Sequence, residues 1–329
     1  MTLKDEVLEK LEENKGVYLS GESLASTLNV TRNAIWKAVR SLRHDGCEID
    51  AVPNKGYSLR SDTTTLTLAG IQKYMKYPEK YNINIYSELD STNTRLRKDA
   101  LNGAPEGTVV IAERQSGGRG RLGRSFFSPP HGGIYMSILL RPLLSVPGLL
   151  PSDAVMITSA AAVAVCRGIE EITSKVVQIK WVNDVYYQNK KICGILTEGS
   201  VSLEANGFDY IIVGIGINVL GCELPDELKN IVGALYNTSD QEYTNRIRHR
   251  ITARVLEHFF DIYRSGLRDF VPEYRRRSLV LGKNINVIHG ETVRPGKAVA
   301  VNDDCSLCVQ FDNGKTENIS SGEISIRLR

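Results

Sequence analysis

The chain has 329 residues and a formal net charge of +3, with 42% hydrophobic and 24% charged residues, which is typical of a globular protein of two or three domains. The small net charge excludes a polycation, so any nucleic acid would have to be bound by a local basic surface. The longest apolar run, 160–166, is too short to cross a bilayer, and the charged opening MTLKDEVLEK does not resemble a signal peptide. We therefore expect a cytoplasmic protein without a membrane partner.

The six cysteines are scattered, and only Cys305 and Cys308 have C-x-x-C spacing. A zinc site would need a second pair or histidines at matching spacing, and a redox motif would be expected beside a βαβ unit. Neither pattern surrounds these two residues. We therefore predict two ordinary thiols and no metal site.

Residues 1–62 are predicted to form a separate domain. Apolar residues at helical spacing predict three helices, the second capped by Ser20 and the third by Thr31. Two short extended runs on either side of the turn sequence NKG (54–56) predict a hairpin. Three helices followed by a hairpin indicate a winged helix-turn-helix domain.

The third predicted helix has an apolar face and a basic face. Charged faces are usually only solvated, but Trp36 is unusual on a face of that kind. The helix-turn-helix order and the hairpin behind it favour DNA binding, with Lys55 of the hairpin along the phosphate backbone. The residues that we place at the groove are Arg32, Asn33, Trp36, Lys37 and Arg40.

Residues 66–272 are predicted to form a second domain that mixes strands and helices. Two long helices are predicted, over 152–171 and 241–265. Runs rich in Val, Ile and Tyr predict six strands, at 83–89, 108–113, 134–141, 176–181, 191–198 and 210–218. Adjacent strands with little chain between them indicate an α+β fold, with a mixed β-sheet and helices on one face.

Residues 280–329 change character again. Short apolar runs alternate with turn sequences such as His-Gly, Pro-Gly and Asp-Asn-Gly. This pattern predicts a small C-terminal β-barrel of the SH3-like kind.

The sequence RQSGGRGRLGR (114–124) combines four arginines with four glycines. It fits neither a P-loop nor a dinucleotide-binding motif. Its glycine amides can form an anion-binding nest, and Arg119, Arg121 and Arg124 offer planar donors to phosphate or carboxylate. Because like-charged arginines repel, we expect this glycine-arginine loop to be mobile when empty and ordered by an anionic ligand. Taken alone, it is also compatible with a nucleic-acid patch or a plain basic loop.

Four further motifs carry polar groups at the ends of strands or the start of a helix. They are DSTNTR (90–95), KWVND (180–184), KKICGIL (190–196) and GIGIN (214–218). In this order, and with ERQSGGRGRLGR, the chain resembles the biotin protein ligases, in particular the bifunctional biotin ligase/biotin operon repressors of bacteria (the BirA type). The resemblance covers essentially the whole chain. Val182 departs from the family's usual proline, and Phe126 from its frequent tryptophan; both keep apolar character.

The resemblance implies a two-step reaction. Biotin and ATP form biotinyl-5′-AMP and pyrophosphate, and a lysine of a biotin carboxyl-carrier domain then displaces AMP. Carboxylate attack on a polyanion needs nearby positive charge, and the residues that match the catalytic positions are Lys191, Arg119 and Arg121. The residues that match the biotin-binding positions are Ser91, Thr92, Asn93, Gln115, Gly118, Arg119, Gly120, Arg121, Lys191 and Gly194.

The resemblance also implies a nucleotide site, with Mg²⁺ bridging the ATP phosphates. Trp181 would border the nucleotide or the pocket wall, and it fits equally well as a core residue. The resemblance leaves open whether Lys180, Asn183 and Asp184 are neighbours of the nucleotide or of the metal. The full set of predicted nucleotide residues is Arg121, Arg124, Lys180, Trp181, Asn183, Asp184 and Asn218.

In the family the adenylate is also a signal. The loaded enzyme forms a homodimer through its central domain and binds operator DNA, which represses biotin synthesis and transport genes. The partners that this implies are a biotin carboxyl-carrier domain, operator DNA and a second copy of the chain.

Three other readings are compatible with parts of the sequence. A ligand-sensing transcription factor without ligase activity is disfavoured by the intact loop and Lys191. A lipoate-protein ligase would generally lack the winged helix and the glycine-arginine run. A monofunctional ligase with a vestigial DNA domain is disfavoured by the basic face around Asn33 and Lys37.

Overall fold

The computed structural model describes residues 3–44, 47–60, 65–146, 149–150, 153–202, 207–238, 240 and 246–326. Within these ranges the strands form three separate sheets, of two, seven and five strands. None of the helices in these ranges has the length and hydropathy that a bilayer span requires.

The first sheet is a hairpin that follows three helices. Ser20 Oγ accepts a hydrogen bond from Ser23 N at 2.9 Å, and Thr31 Oγ1 accepts one from Ala34 N at 3.2 Å. Both predicted helix caps are therefore present. The elements are α1 Leu3–Glu13, α2 Gly21–Thr27, α3 Arg32–His44, β1 Ile49–Val52 and β2 Gly56–Leu59. The predicted winged helix-turn-helix is confirmed.

The second sheet has the strand order β3-β4-β5-β9-β8-β7-β6. Only β3 and β4 are parallel, and every other neighbouring pair is antiparallel. The strands are β3 Asn82–Leu89, β4 Thr108–Gln115, β5 Gly133–Leu140, β6 Gln178–Lys180, β7 Asp184–Tyr187, β8 Lys190–Ser202 and β9 Gly207–Asn218. The mixed sheet is confirmed. β7 was not predicted, because it has four residues and starts inside the polar KWVND motif.

Helices cover both faces of this sheet. The long helices α7 and α8 pack against each other and share the main core with the sheet. On the opposite face, Leu96 and Ala100 of α5 pack on Val110, Leu139 and Ile212. Successive residues of a strand point to opposite faces, so alternate residues of β4 and β5 belong to the two cores. The prediction of helices on one face therefore does not hold for α5, which covers the other face. The helices are α4 Leu68–Gln72, α5 Thr92–Leu101, α6 Pro142–Ser145, α7 Ala154–Thr173, α8 Ile247–Arg264 and α9 Val271–Arg277.

Two long helices were predicted to start at residues that lie outside the described ranges. The helix predicted over 152–171 begins in the structure at Ala154, and residue 152 lies outside the described ranges. The helix predicted over 241–265 begins at Ile247, and 241–245 likewise lie outside them.

The third sheet is antiparallel, with the strand order β13-β12-β11-β10-β14. Its strands are β10 Asn284–His289, β11 Thr292–Val301, β12 Leu307–Phe311, β13 Thr316–Ile319 and β14 Glu323–Ile326. This confirms a small antiparallel β-domain. Over residues 246–326, β13 and β14 are the edges and do not pair, so closure into an SH3-like barrel stays a prediction. The boundaries 1–62, 66–272 and 280–329 stay predictions as well.

The N-terminal unit has its own core and meets the central domain through polar contacts. Thr67 Oγ1 donates to Glu12 Oε1 of α1 at 2.9 Å, and Thr67 N donates to His249 Nε2 at 3.1 Å. Next to His249, the fully buried Arg248 donates from Nη2 to Glu113 Oε2 at 2.9 Å. Hydrogen bonds thus run from Glu12 of the first helix through Thr67 to His249 of α8, and the preceding residue of α8 binds Glu113 in the interior of the central domain.

Candidate active site

The residues predicted to bind biotin meet over the middle strands of the seven-stranded sheet. They come from the start of α5, the end of β4, the glycine-arginine loop and β8. Gly118 lies beside the cavity, where its carbonyl accepts a hydrogen bond from Phe126 N at 2.8 Å. The predicted biotin residues that line one cavity of about 50 Å³ are Ser91, Thr92, Asn93, Gln115, Arg119, Gly120, Arg121, Lys191 and Gly194.

The glycines of the GIGIN motif allow side chains to approach the sheet closely. A Cβ added at Gly214 would lie 2.2 Å from Asn93 Oδ1, so a larger residue there would displace the amide. At Gly216 an added Cβ would lie 2.5 Å from the Phe126 ring. These glycines are therefore needed for space at the floor of the cavity, which the strand pattern alone did not indicate.

Hydrogen bonds join the polar side chains at the buried end of this cavity. Thr92 donates to Gln115 Oε1 from N at 2.9 Å and from Oγ1 at 3.1 Å. Gln115 Nε2 donates to Ser128 Oγ at 2.9 Å. Ser137 Oγ donates to Asn93 Oδ1 at 2.6 Å and lies 2.7 Å from Thr92 Oγ1. Such a network holds donors and acceptors in place before a ligand enters. Ser137 and Ser128 were not among the predicted residues.

Phe126 occupies the floor of the small cavity. Its ring packs over Gly194 and Gly216 and meets Tyr135 edge-on, with ring centroids 6.4 Å apart. The remaining volume of about 50 Å³ is far below the roughly 300 Å³ at which ligand pockets begin. A bicyclic ligand can therefore enter only if lining groups move, and these include the Phe126 ring and the side chains of Arg119 and Arg121. The sequence showed only that an aromatic residue follows the loop.

Each arginine of the glycine-arginine loop has a partner elsewhere in the fold. Arg119 Nη2 lies 3.2 Å from Glu198 Oε1. Arg121 donates to Asn183 Oδ1 at 3.1 Å and to the carbonyl of residue 322 at 3.2 Å. Arg124 makes two hydrogen bonds of 2.7 Å to the Glu323 carboxylate. These contacts offset the repulsion from which we predicted a mobile loop, and the mobility of the loop stays a prediction.

The charged groups around the loop shift one another's protonation. The hydrogen bond from Arg124 holds the pKa of Glu323 below its ordinary value. Burial lowers the pKa of Lys180, although the nearby carboxylates of Asp184 and Glu323 oppose the shift. Lys191 Nζ lies 2.7 Å from Asp184 Oδ1, an atom that is buried and lacks an aligned hydrogen-bond donor. An arriving anion would therefore compete with Asp184 for the ammonium of Lys191.

A second cavity of about 1020 Å³ adjoins the first. Lys191 and Phe126 line both cavities. One wall of the larger cavity is cationic, formed by Arg124, Lys175, Lys190 and Lys191. Another is apolar, formed by Leu224, Leu228, Ile231 and Val232. The sequence analysis missed this apolar wall, because residues 219–237 contain no long helix or strand and show no periodic pattern.

The predicted nucleotide residues are divided between several places. Arg124 and Asn218 line the larger cavity, whereas Arg121 and Asn183 line the smaller one. Lys180, Trp181 and Asp184 line neither of these two cavities. Trp181 is 4% exposed, and its Nε1 donates to the carbonyl of Cys305 at 3.0 Å. The structure thus places Trp181 in the core, where it joins the central domain to the C-terminal sheet.

The basic face of α3 is exposed as the helical projection indicated. Ile35, Ala38, Val39 and Leu42 are buried on the opposite side. The Trp36 ring is 48% exposed, and the Arg40 guanidinium lies 5.5 Å from its centroid. Lys55 is exposed at the hairpin turn. The exposed residues of this surface are Arg32, Asn33, Trp36, Lys37, Arg40 and Lys55.

Three family models match consecutive parts of the chain. Residues 4–58 match an HTH domain, 86–218 the biotin/lipoate A/B protein ligase family, and 280–327 the biotin protein ligase C-terminal domain. Among solved structures, the biotin protein ligase from Aquifex aeolicus in complex with biotin and ATP is 31% identical, with a TM-score of 0.59 over 75% of this chain and 98% of that one.

Two bacterial proteins match this chain over nearly its full length. The bifunctional ligase/repressor BirA of Bacillus subtilis is 31% identical over 99% of both chains. The bifunctional ligase/repressor BirA of Escherichia coli is 27% identical over 95% of this chain and 94% of that protein. The chain therefore belongs to the family of bifunctional biotin ligase/repressors of the BirA type.

Proposed function

We propose that this protein attaches biotin to a lysine of a biotin carboxyl-carrier domain and, when loaded with the intermediate, represses genes of biotin synthesis and transport. One observation carries the ligase function: Lys191 and Phe126 line both a small polar cavity and a large cationic one. A carboxylate in the first cavity would face a triphosphate in the second. This is the arrangement that adenylation of a carboxylic acid requires.

In the first step, an oxygen of the biotin carboxylate bonds to the α-phosphorus of ATP. The bond from that phosphorus to the α,β-bridging oxygen breaks, and pyrophosphate leaves. Negative charge accumulates on the phosphoryl oxygens, so fixed cations favour the transition state. Lys191, Arg119 and Arg121 are the cations that line the small cavity, and we assign them to the carboxylate and the α-phosphate.

The larger cavity has the chemistry of a nucleotide site. Its lysines and Arg124 suit the β- and γ-phosphates, and the apolar wall formed by Leu224, Leu228, Ile231 and Val232 suits the purine. Asn218, which donates to the carbonyl of residue 233 at 3.2 Å, lies close enough to this wall to contact the ribose or the base.

In the second step, the amine of the acceptor lysine attacks the acyl carbon of the mixed anhydride. An amide bond forms, the bond from that carbon to the phosphate oxygen breaks, and AMP leaves. The glycine-arginine loop covers the small cavity, so it would shield the anhydride from water until the carrier domain arrives.

Mg²⁺ fits this site as a companion of ATP. Asp184 Oδ1 is a buried carboxylate oxygen 2.7 Å from Lys191 Nζ, and the preceding residue, Asn183, lines the smaller cavity. No group of three potential metal ligands occurs among the residues that the structure describes. Mg²⁺ usually keeps several waters and binds one or two carboxylates together with phosphates. It would supply charge neutralisation at the phosphates.

For repression, we propose that two loaded chains form a homodimer and read two operator half-sites. The exposed basic face of α3 and Lys55 of the hairpin support DNA contact. The hydrogen bonds from Glu12 through Thr67 to His249 offer a physical link between the N-terminal domain and the central domain. A protein that uses ATP and operator DNA would act in the cytoplasm.

The test uses the full-length protein, biotin, ATP, Mg²⁺ and a biotin carboxyl-carrier domain. Mass spectrometry should show one biotin on one acceptor lysine, and excess lipoate should not compete. Arg121→Gly should still bind biotin in calorimetry but should lose the tightly held adenylate. Leu122→Gly is the matched control, because it adds backbone freedom at an exposed neighbour without removing a guanidinium. Equal adenylate retention by Arg121→Gly and the wild type would contradict the role of the loop.

The repressor half has its own readout. Operator binding in a gel shift should tighten when biotin and ATP are added together, because only the loaded state dimerises. Affinity that does not respond to biotin would remove repression from the proposal and leave the ligase function untouched.

A further inference from the structure

Glu198 stands behind the small cavity without lining it. It lies on β8, two residues after the KKICGIL motif, and its side chain is 21% exposed. Its carboxylate contacts three donors: Asn93 Nδ2 at 2.8 Å, Arg97 Nη2 at 2.7 Å and Arg119 Nη2 at 3.2 Å. One carboxylate thus connects the wall of the cavity with the glycine-arginine loop.

The first of these contacts decides which way the Asn93 amide points. Asn93 is 3% exposed, with Oδ1 next to the Ser137 hydroxyl and Nδ2 next to Glu198. A hydroxyl can donate or accept, so Ser137 permits either orientation of the amide. An ionised carboxylate only accepts, so Glu198 allows only Nδ2 on its side. The carbonyl of Leu196 also accepts from Asn93 Nδ2, at the longer distance of 3.4 Å, so Glu198 is the nearer of these two acceptors that hold the amide in its orientation toward a flat polar ring.

The other two contacts place the loop. Arg119 is 42% exposed and belongs to a glycine-rich segment, so little else restricts its side chain. Arg97, on α5, contacts Oε1 of this carboxylate, the same oxygen that Arg119 Nη2 approaches. Without Glu198, the guanidinium groups of Arg97 and Arg119 would face each other with no anion between them and would repel. Arg97 also keeps the carboxylate in place when Arg119 turns toward a ligand.

We propose that Glu198 is a positioning residue for both ends of the biotin site. It orients Asn93 for the ureido ring, and it holds Arg119 where the acyl phosphate forms. This inference rests on the proposed ligase function. It predicts that recognition of the biotin ring and retention of the adenylate both depend on Glu198, although this side chain contacts neither the ring nor the phosphate.

The experiment compares variants of the full-length protein. Glu198→Gln keeps one oxygen that can accept from Asn93 Nδ2, which the carbonyl of Leu196 also holds, but it loses the charge that holds Arg119. We expect adenylate to dissociate about fivefold faster, which corresponds to about 1 kcal/mol for a half-exposed ion pair, while the KM for biotin changes less than twofold. Glu198→Ala leaves Asn93 Nδ2 with the longer contact to the carbonyl of Leu196, and we expect the biotin dissociation constant of this variant to rise about tenfold. Glu198→Asp withdraws the carboxylate by one methylene and should release adenylate as fast as Glu198→Gln.

A matched control and a double variant separate positioning from general stability. Glu170→Gln removes a carboxylate of similar exposure, 25%, that pairs with Arg277 away from both cavities, and it should behave as wild type. If Glu198 acts through Arg119, the double variant Glu198→Gln/Arg119→Gln releases adenylate no faster than Arg119→Gln alone. A further fivefold increase in the double variant, or a wild-type release rate in Glu198→Gln, would overturn the role in the loop.

Failure of this inference and failure of the proposed function are distinguishable. A wild-type protein that binds biotin but makes no adenylate would refute the ligase function. In that case calorimetry of Glu198→Ala with biotin alone still decides the Asn93 part: an unchanged dissociation constant overturns it, and a tenfold rise supports it.

Discussion

Replacing Arg248 by methionine should destabilise the central domain strongly. The Arg248 side chain is 0% exposed and the Glu113 side chain 6%, and the two are joined at 2.9 Å. Arg248 Nε also donates to the carbonyl of Gly133 at 2.8 Å. Methionine fills much of the same volume but leaves a buried carboxylate without its cation, which costs about 3–5 kcal/mol. With a urea slope of about 2–3 kcal/mol/M, the midpoint should fall by about 1–2 M.

Fluorescence can report on the central domain selectively. The chain has two tryptophans, and in a Trp36→Phe background only Trp181, buried between the central domain and the C-terminal sheet, remains. Arg254→Met on the same helix is the matched control: Arg254 is 31% exposed and its partners Glu171 and Glu257 are 45% and 13% exposed, so its loss should cost about 1 kcal/mol. If the two variants differed by less than about 1 kcal/mol, the assignment of Arg248 to a critical buried pair would be wrong.

Three further predictions concern the site and the DNA surface. Gly216→Ala should weaken biotin binding at least tenfold in calorimetry. The new methyl group would lie 2.5 Å from the present position of the Phe126 ring and would occupy space that the ligand needs at the floor of the cavity. Unchanged affinity would contradict that position of the ligand. The pKa of Glu323 should be below 4.5 in a carbon-detected NMR titration and should rise in Arg124→Gln. Because the pKa of Glu323 is depressed, the ion pair stabilises the fold fully at pH values above the ordinary carboxyl pKa, and this stabilisation is lost as the pH falls through the depressed pKa. An Arg124→Gln variant in which the pKa of Glu323 does not rise would refute the pairing. Lys37→Ala should weaken binding to all DNA sequences alike and reduce the slope of log K against log salt by about 1, whereas an unchanged slope would place Lys37 off the backbone.

The exposed basic face of α3 was predictable because burial in a helix follows a period that can be counted. Ile35 and Val39 face the core, and Lys37 and Arg40 face solvent, as the projection of α3 required. The caps at Ser20 and Thr31 were predictable for a similar reason, since each satisfies a backbone N–H within three residues.

The glycine-arginine loop shows the limit of this approach. Its composition indicated an anion site, but the partners of its arginines lie far along the chain: Glu198 is 79 residues from Arg119, and Glu323 is 199 residues from Arg124. Nothing local in the sequence distinguishes these two carboxylates from the other acidic residues. The apolar wall of the larger cavity was missed because an irregular segment carries no periodic signal.

The sequence by itself therefore determined the long helices and most strands, the exposed basic face of α3 and the types of group at the site, since each depends on neighbours within a few residues; the short elements α4, α6, α9 and β7 were not predicted. Only the tertiary structure decided that Phe126 lies on the floor of the small cavity, that Trp181 belongs to the core and that Glu198 joins Asn93 to Arg119. The physical reason is that hydrogen bonds and ion pairs act over about 3 Å of space. Packing of distant segments, and not order along the chain, brings those atoms together.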